Sequence, residues 1–270
     1  MLMMILKSGA WLFGLSNVGN NSSDSCTASL NIINSVIMAE IGYGYGSEYQ
    51  LMRFLGHHRE ELDKTIKEHI GVEGVIHWLD FEYTDKTISG DLENKGLDFL
   101  SRIPFVSKEQ LSSIIKEYHT YKINKIDYWQ SWDAIFYIED CIYLVEAKAH
   151  VGELKSPRNT ERKSEGEILR FMKEQLPNLP VCDVWLKEYY QLANRLATTA
   201  LIRKHEVKAK TLCLFFENGY TDKYFKRGDK NNTKEDFEDA IREEMKALGI
   251  EPDKVKDLLT KHVFINASPL

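Results

Sequence analysis

The stretch WQSWDAIFYIEDCIYLVEAKAH, residues 129–150, constrains this chain more than any other part of it. Two runs rich in β-branched and aromatic residues, 128–138 and 141–149, flank the polar pair Glu139-Asp140. That pattern predicts two antiparallel strands joined by a tight turn. Three charged residues, Asp133, Glu146 and Lys148, are set inside the apolar runs. A turn that puts Ile138 opposite Cys141 also puts Asp133 opposite Glu146 on one face, where cross-strand Cβ atoms are about 5 Å apart. Lys148, two residues beyond Glu146, emerges on that same face because side chains alternate along a strand. Glu-Asp is not favoured two-residue hairpin chemistry, so the register rests on the apolar pattern alone.

Two carboxylates this close repel each other and are costly to bury unpaired. A divalent cation removes both penalties. Hard oxygen donors at short range are what Mg²⁺ takes, with several waters retained, and Mn²⁺ is expected to substitute for it. Such an ion lowers the pKa of a bound water and neutralises a phosphate oxygen. A lysine beside it is placed to orient the attacking water or to stabilise charge in the transition state. The set reads as a minimal apparatus for phosphodiester hydrolysis. The plainer alternative is an Asp133–Lys148 ion pair with Glu146 at a sheet edge.

The rest of the chain supplies a frame for this hairpin. Gly42, Gly44 and Gly46 lead into Ser47, and Ser47 with Gln50 fits a capping box, which predicts a helix over 47–70. On that helix Glu48 falls within the apolar stripe of Leu51, Met52 and Leu55, continued by Leu62, Ile66 and Ile70. An inward carboxylate in a first turn calls for a partner, and the metal site would supply one; the alternative is simple attraction to the helix N-terminus. A strand is expected over 74–83, a helix over 107–121, a basic loop over 155–163 and a helix over 165–175. A long helix over 183–205 then leads into an apolar strand over 209–216. An acidic amphipathic helix over 233–248, a short helix from Pro252 and a final strand over 262–266 complete the chain. The order predicts one α/β domain with a central mixed sheet flanked by helices. Residues 1–46 read as an N-terminal appendage with Met38 as an alternative start, 47–217 as the core, and 218–270 as a C-terminal helical extension of the same domain.

Taken together, Asp133, Glu146-Ala147-Lys148 and the helix carrying Glu48 resemble the PD-(D/E)XK, or restriction-endonuclease-like, nuclease superfamily. The resemblance spans 47–217, with an insertion between the first and second strands, and implies an α-β-β-β-α-β core. It implies that Asp133 and Glu146 bind Mg²⁺, that Lys148 acts on the water or the phosphate, and that Glu48 assists at the metal. The implied activity is a metal-dependent nuclease, with DNA the expected substrate and a homodimer an arrangement many such enzymes adopt. Trp132 stands where the family's name has proline. In some branches the helix after the motif carries a glutamine followed four residues later by a tyrosine; here Gln191 is followed by Arg195. Both lie on one helical face and are expected to approach the metal site or a phosphate.

Composition limits the alternatives. With 28% charged and 43% hydrophobic residues the chain is neither disordered nor a coiled coil. No apolar run approaches the ~20 residues of a membrane span, so no membrane contact is expected. Lys and Arg number 35 against 41 Asp and Glu, a net charge of −6, so nucleic-acid contact requires a local patch. One patch is the loop carrying Lys155, Arg158, Arg162 and Lys163, which follows Lys148 directly. Others are Arg203, Lys204, Lys208 and Lys210, and Lys223, Lys226, Arg227 and Lys230. His150 is expected on the same face as Lys148. The four cysteines, Cys26, Cys141, Cys182 and Cys213, include no Cys-x-x-Cys pair, which argues against a zinc cluster and makes the cytoplasm the expected compartment. Two competing readings stay open: an inactive nuclease fold that binds nucleic acid or another protein, and a small-molecule metal hydrolase. A basic groove favours the nuclease and a closed pocket the hydrolase.

Overall fold

Strict alternation along Cys141–Lys148 sends Ile142 and Leu144 into one apolar layer and Tyr143, Val145 and Ala147 into another, so this strand is covered on both faces. It is the centre of the fold. The computed structural model describes residues 46–79, 94–121, 131–156, 162–219 and 233–268, all of which belong to one compact unit. The main sheet has five strands in the order β1 (His77–Trp78), β4 (Ala134–Ile138), β5 (Cys141–Lys148), β6 (Lys208–Glu217) and β7 (Val263–Asn266). β1, β4 and β5 run antiparallel, whereas β6 and β7 are parallel to β5, so the sheet is mixed. A separate two-stranded ribbon pairs β2 (Asn94–Lys95) with β3 (Ser131–Trp132).

The hairpin has the register read from its pattern: Ile138 faces Cys141 and Ala134 faces Val145. Glu139 takes the left-handed conformation, φ 52°, to close the two-residue turn. The strand expected over 128–138 is not continuous, however. It breaks at Asp133, where β3 leaves to pair with β2. Residues 128–130 and 80–83 lie outside the described residues, and of the strand expected over 74–83 only His77–Trp78 joins the sheet.

α1 (Ser47–His57) and α2 (Arg59–Ile70) cover one face of the sheet with Leu51, Phe54, Leu62 and Ile66. They replace the single helix expected over 47–70, with the break at His58. Ser47 is not the cap either. Gly46 is, at φ 90°, and the Gln50 side chain instead donates to the Gly219 carbonyl at 2.9 Å. On the opposite face lie α3 (Lys108–Tyr118), α4 (Arg162–Gln175), α5 (Val184–Lys187), α6 (Tyr190–Lys204) and α7 (Lys234–Ala247). Capping boxes open α3 at Ser107 and α7 at Thr233. α4 begins at Arg162, so the basic loop is shorter than expected. The long helix expected over 183–205 is two helices, because the Ser156 backbone bridges to Glu188 and Tyr190 where α5 ends. After α7, α8 (Pro252–Val255) leads to β7, the final strand expected over 262–266, which pairs parallel with β6. Among the described residues no helix is long and apolar enough to cross a membrane.

Candidate active site

Elements distant in sequence meet at the C-terminal end of β5. A cavity of about 180 Å³ opens there, lined by Ser47, Glu48, Leu51 and Met52 of α1, by Asp133, by Glu146, Ala147 and Lys148 of β5, and by Gln191 of α6. The four residues singled out as catalytic, Glu48, Asp133, Glu146 and Lys148, all line it, and Gln191 joins them.

Each is placed by its element. β5 alternation puts Glu146 and Lys148 on the face turned toward α6. Asp133 sits at the break between β3 and β4, where its Oδ2 accepts the Ala147 N–H at 2.7 Å. The carboxylate thus replaces a ladder acceptor that β4, beginning one residue later, does not supply. Glu48 is in the first turn of α1, half-buried at the cavity wall. The Lys148 ammonium donates to Glu146 Oε1 and, at 2.9 Å, to Gln191 Oε1.

Arg195 completes the cluster from below. It is only 4% exposed, its Nε donates to Glu146 Oε2 at 2.8 Å, and its guanidinium lies 4.5 Å from the centre of the Trp132 ring. It is therefore a buried counter-charge to Glu146 and not a surface phosphate contact. Trp132, which precedes Asp133, is fully buried, donates its indole N–H to the Gly96 carbonyl at 2.8 Å and gives Arg195 its stacking surface.

Electrostatics separate the two carboxylates. Burial pushes the Glu146 carboxyl up, but Arg195 and Lys148 outweigh that and hold it below the usual range. Asp133 goes the other way. Burial, reinforced by the Glu146 charge, raises it to about 7 despite Lys148, Arg195 and the Ala147 N–H. Lys148 loses to burial but gains more from Glu146 and Asp133, so its pKa is raised and it stays an ammonium. At neutral pH it is a cation and hydrogen-bond donor, not a base.

The shift at Asp133 predicts a pH dependence. Its folded value lies above the ordinary 3.8, so the folded state binds the extra proton between pH 4 and 7 and stability falls as pH rises through that window. Asp133→Asn is expected to be more stable than wild type in EDTA at pH 8 by about 2–4 kcal/mol, converging near pH 4. Chemical denaturation at the two pH values measures this; equal stabilities at pH 8 would contradict it.

Other expectations fare differently. Lys155 is exposed just beyond the site, Arg158 lies outside the described residues, and of Arg162 and Lys163 only the backbone, in α4, is described. His150 does not share the Lys148 face: the strand has ended, and its Nδ1 accepts the Gly152 N–H at 2.8 Å, capping a 3₁₀ turn. In the second patch Lys208 pairs with Asp140 and Lys204 with Glu117; the third lies outside the described residues.

Two residues were not singled out by the sequence. The Ser156 hydroxyl accepts the Gln191 N–H at 3.0 Å, fixing the start of α6 and with it the glutamine beside Lys148; no spacing signals this. Glu244 of α7 is buried, and desolvation raises its carboxyl to about 8, with Lys148 opposing and Glu146 adding to the shift. Its place on the Phe237–Ile241–Glu244 stripe was a readable signal. Compared with protein-family models, curated proteins and solved structures, the chain matches none.

Proposed function

We propose that the protein is a metal-dependent phosphodiester hydrolase, and more specifically a nuclease of the PD-(D/E)XK, restriction-endonuclease-like type acting on nucleic acid, DNA foremost. The observation that carries this reading is the meeting of Glu48, Asp133, Glu146 and Lys148, from three separate stretches of chain, on one small cavity. The strand order supports it: with the β2–β3 ribbon, a 3₁₀ turn and α3 inserted between β1 and β4, the chain runs through a helical pair, three antiparallel strands, a helical crossover and a parallel strand, the order that the resemblance implies.

The residues fit a divalent cation. Asp133 is a buried carboxyl raised to about 7 next to an ionised Glu146, a stress that positive charge would relieve. Among the described residues no group of three or more His, Cys, Asp or Glu is gathered to hold a metal. Mg²⁺, however, is commonly held by one or two carboxylates with waters completing the shell. Glu146 accepts from Lys148 and Arg195 on separate oxygens, and a carboxylate offers about four lone-pair sites, so acceptor capacity remains. Asp133 and Glu146 would hold the ion, with Glu48 on the cavity wall beside them. Bound there, Mg²⁺ or Mn²⁺ would make a nucleophile of water at neutral pH and neutralise a phosphate oxygen.

The chain's own residues do the rest. Arg195 keeps Glu146 ionised and fixes one of its oxygens. Gln191 and Glu146 hold the Lys148 ammonium at the cavity, where it can donate to the attacking water or to a phosphate oxygen as negative charge develops. Lys155, exposed after β5, offers a cation to the nucleic-acid backbone.

The engagement of both Glu146 oxygens by cations favours one competing reading, a nuclease fold that binds nucleic acid without cutting it. Incubation of the full chain with supercoiled plasmid and with single-stranded DNA in Mg²⁺, Mn²⁺ or EDTA separates the two. Metal-dependent cutting that EDTA stops is expected; binding without cutting in any metal would support the inactive module instead.

A further inference from the structure

We propose that a second, larger groove, bounded by α7, α8 and the end of α2, binds a soluble single-chain amphiphile: an apolar body carrying a carboxylate or phosphate head group. The groove holds about 880 Å³ and shares no lining residue with the candidate active site. The inference is independent of the nuclease reading.

Its floor is mainly aliphatic, made by Ile70, Val72, Met245, Ile250, Val255 and Leu259, with Tyr143 beside them. Its rim is cationic. Lys210 of β6, Arg242 and Lys246 of α7, Lys256 after α8 and Lys261 before β7 all line it, and no Asp or Glu does. Arg242 is paired with Asp239, but Lys210, Lys246, Lys256 and Lys261 make no ion pair among the described residues. In a chain of net charge −6, four unpaired lysines from four segments around one mainly aliphatic floor form a local field of opposite sign to the molecule's own.

His262 adds a neutral polar group. Desolvation pulls its pKa down to about 4, its ring lies edge-on to Phe215, and its nitrogens make no hydrogen bond among the described residues. It therefore offers a hydrogen bond to a ligand rather than a further charge.

Size and chemistry select the occupant. A volume of this order suits one small molecule, for which pockets run from about 300 to 1,000 Å³. Single-stranded nucleic acid is bound on aromatic stacking platforms; the one tyrosine in the lining, Tyr143, is 5% exposed with its ring stacked on Phe136, so it offers no free platform. An acyl-like body on the floor with its anion among the rim lysines satisfies both surfaces at once.

Calorimetry of the full chain with dodecanoate, dodecyl phosphate and dodecyltrimethylammonium, each below its micelle-forming concentration, tests this. Both anionic probes are expected to bind one per chain, and the tighter of the two identifies the head group. The cationic probe, and the triple variant Lys246→Glu, Lys256→Glu, Lys261→Glu toward the anions, should each bind at least about tenfold more weakly. All three lysines are exposed, so an unchanged thermal unfolding transition for the variant verifies its fold. Equal binding of the cationic probe, undiminished binding by the variant, or failure of both anionic probes to bind would overturn the proposal. Cosedimentation with phosphatidylglycerol vesicles alone, without binding of the monomeric probes, would overturn it in favour of a membrane surface.

Discussion

Lys148→Ala is expected to lower the rate of metal-dependent cleavage by about 10²–10³-fold, the loss that follows removal of one preorganised donor at a site of developing negative charge. Lys148 is 7% exposed and its ammonium is held by Glu146 and Gln191, so water cannot replace it at the same position without reorganisation. Its raised pKa means that the lost function is charge and hydrogen bonding, not proton abstraction. The rate of the wild type should therefore show no ionisation of this lysine around neutral pH. Lys148→Arg should not restore the rate, because a planar guanidinium cannot occupy the place of a compact ammonium between two acceptors. Single-turnover cleavage of plasmid, with circular dichroism to verify the fold, measures the effect. Full activity of Lys148→Ala would remove the lysine from the chemistry.

Arg195→Met should cost about 3 kcal/mol of stability at neutral pH. Breaking a buried ion pair from one side costs about 3–5 kcal/mol because the remaining charge is left uncompensated. The lower end applies here, since Lys148 still faces Glu146. Part of the cost is the lost stack on Trp132. With Arg195 gone, burial has only Lys148 to oppose it at Glu146, so the Glu146 carboxyl should titrate higher and the loss should shrink as the pH falls and the acid takes up a proton. Urea denaturation of the variant at pH 7.5 and pH 5 reads both effects. A variant as stable as wild type at pH 7.5 would show that Glu146 does not depend on its guanidinium.

The hairpin was legible because a two-residue turn and strict alternation leave one register, and that register brought Asp133 and Glu146 to the same end of the sheet. Glu48 was legible from its helical angle, which tied it to the apolar face of α1. What the pattern could not reveal were the breaks. β3 departs at Asp133 because Ser131 and Trp132 pair with Asn94 and Lys95, a long-range choice that alternation does not encode. α5 and α6 part at a bridge from Ser156, again a partner far away in sequence. Arg195 was legible as sharing a face with Gln191, but its burial depended on Trp132 lying beneath the site, which only the tertiary fold determines. The apolar floor of the large groove is assembled from α2, α7, α8 and the loop before β7, and none of these segments signals a site alone.

Anomalous scattering from a crystal of the protein soaked in Mn²⁺ locates a bound ion without assuming a substrate. One peak is expected in the cavity between the Asp133 and Glu146 carboxylates, on the side facing Glu48, and it should vanish in Asp133→Asn. No peak there at a saturating Mn²⁺ concentration, with Lys148 and Arg195 still closed on Glu146, would contradict the assignment of this cavity as a metal-dependent phosphodiesterase site.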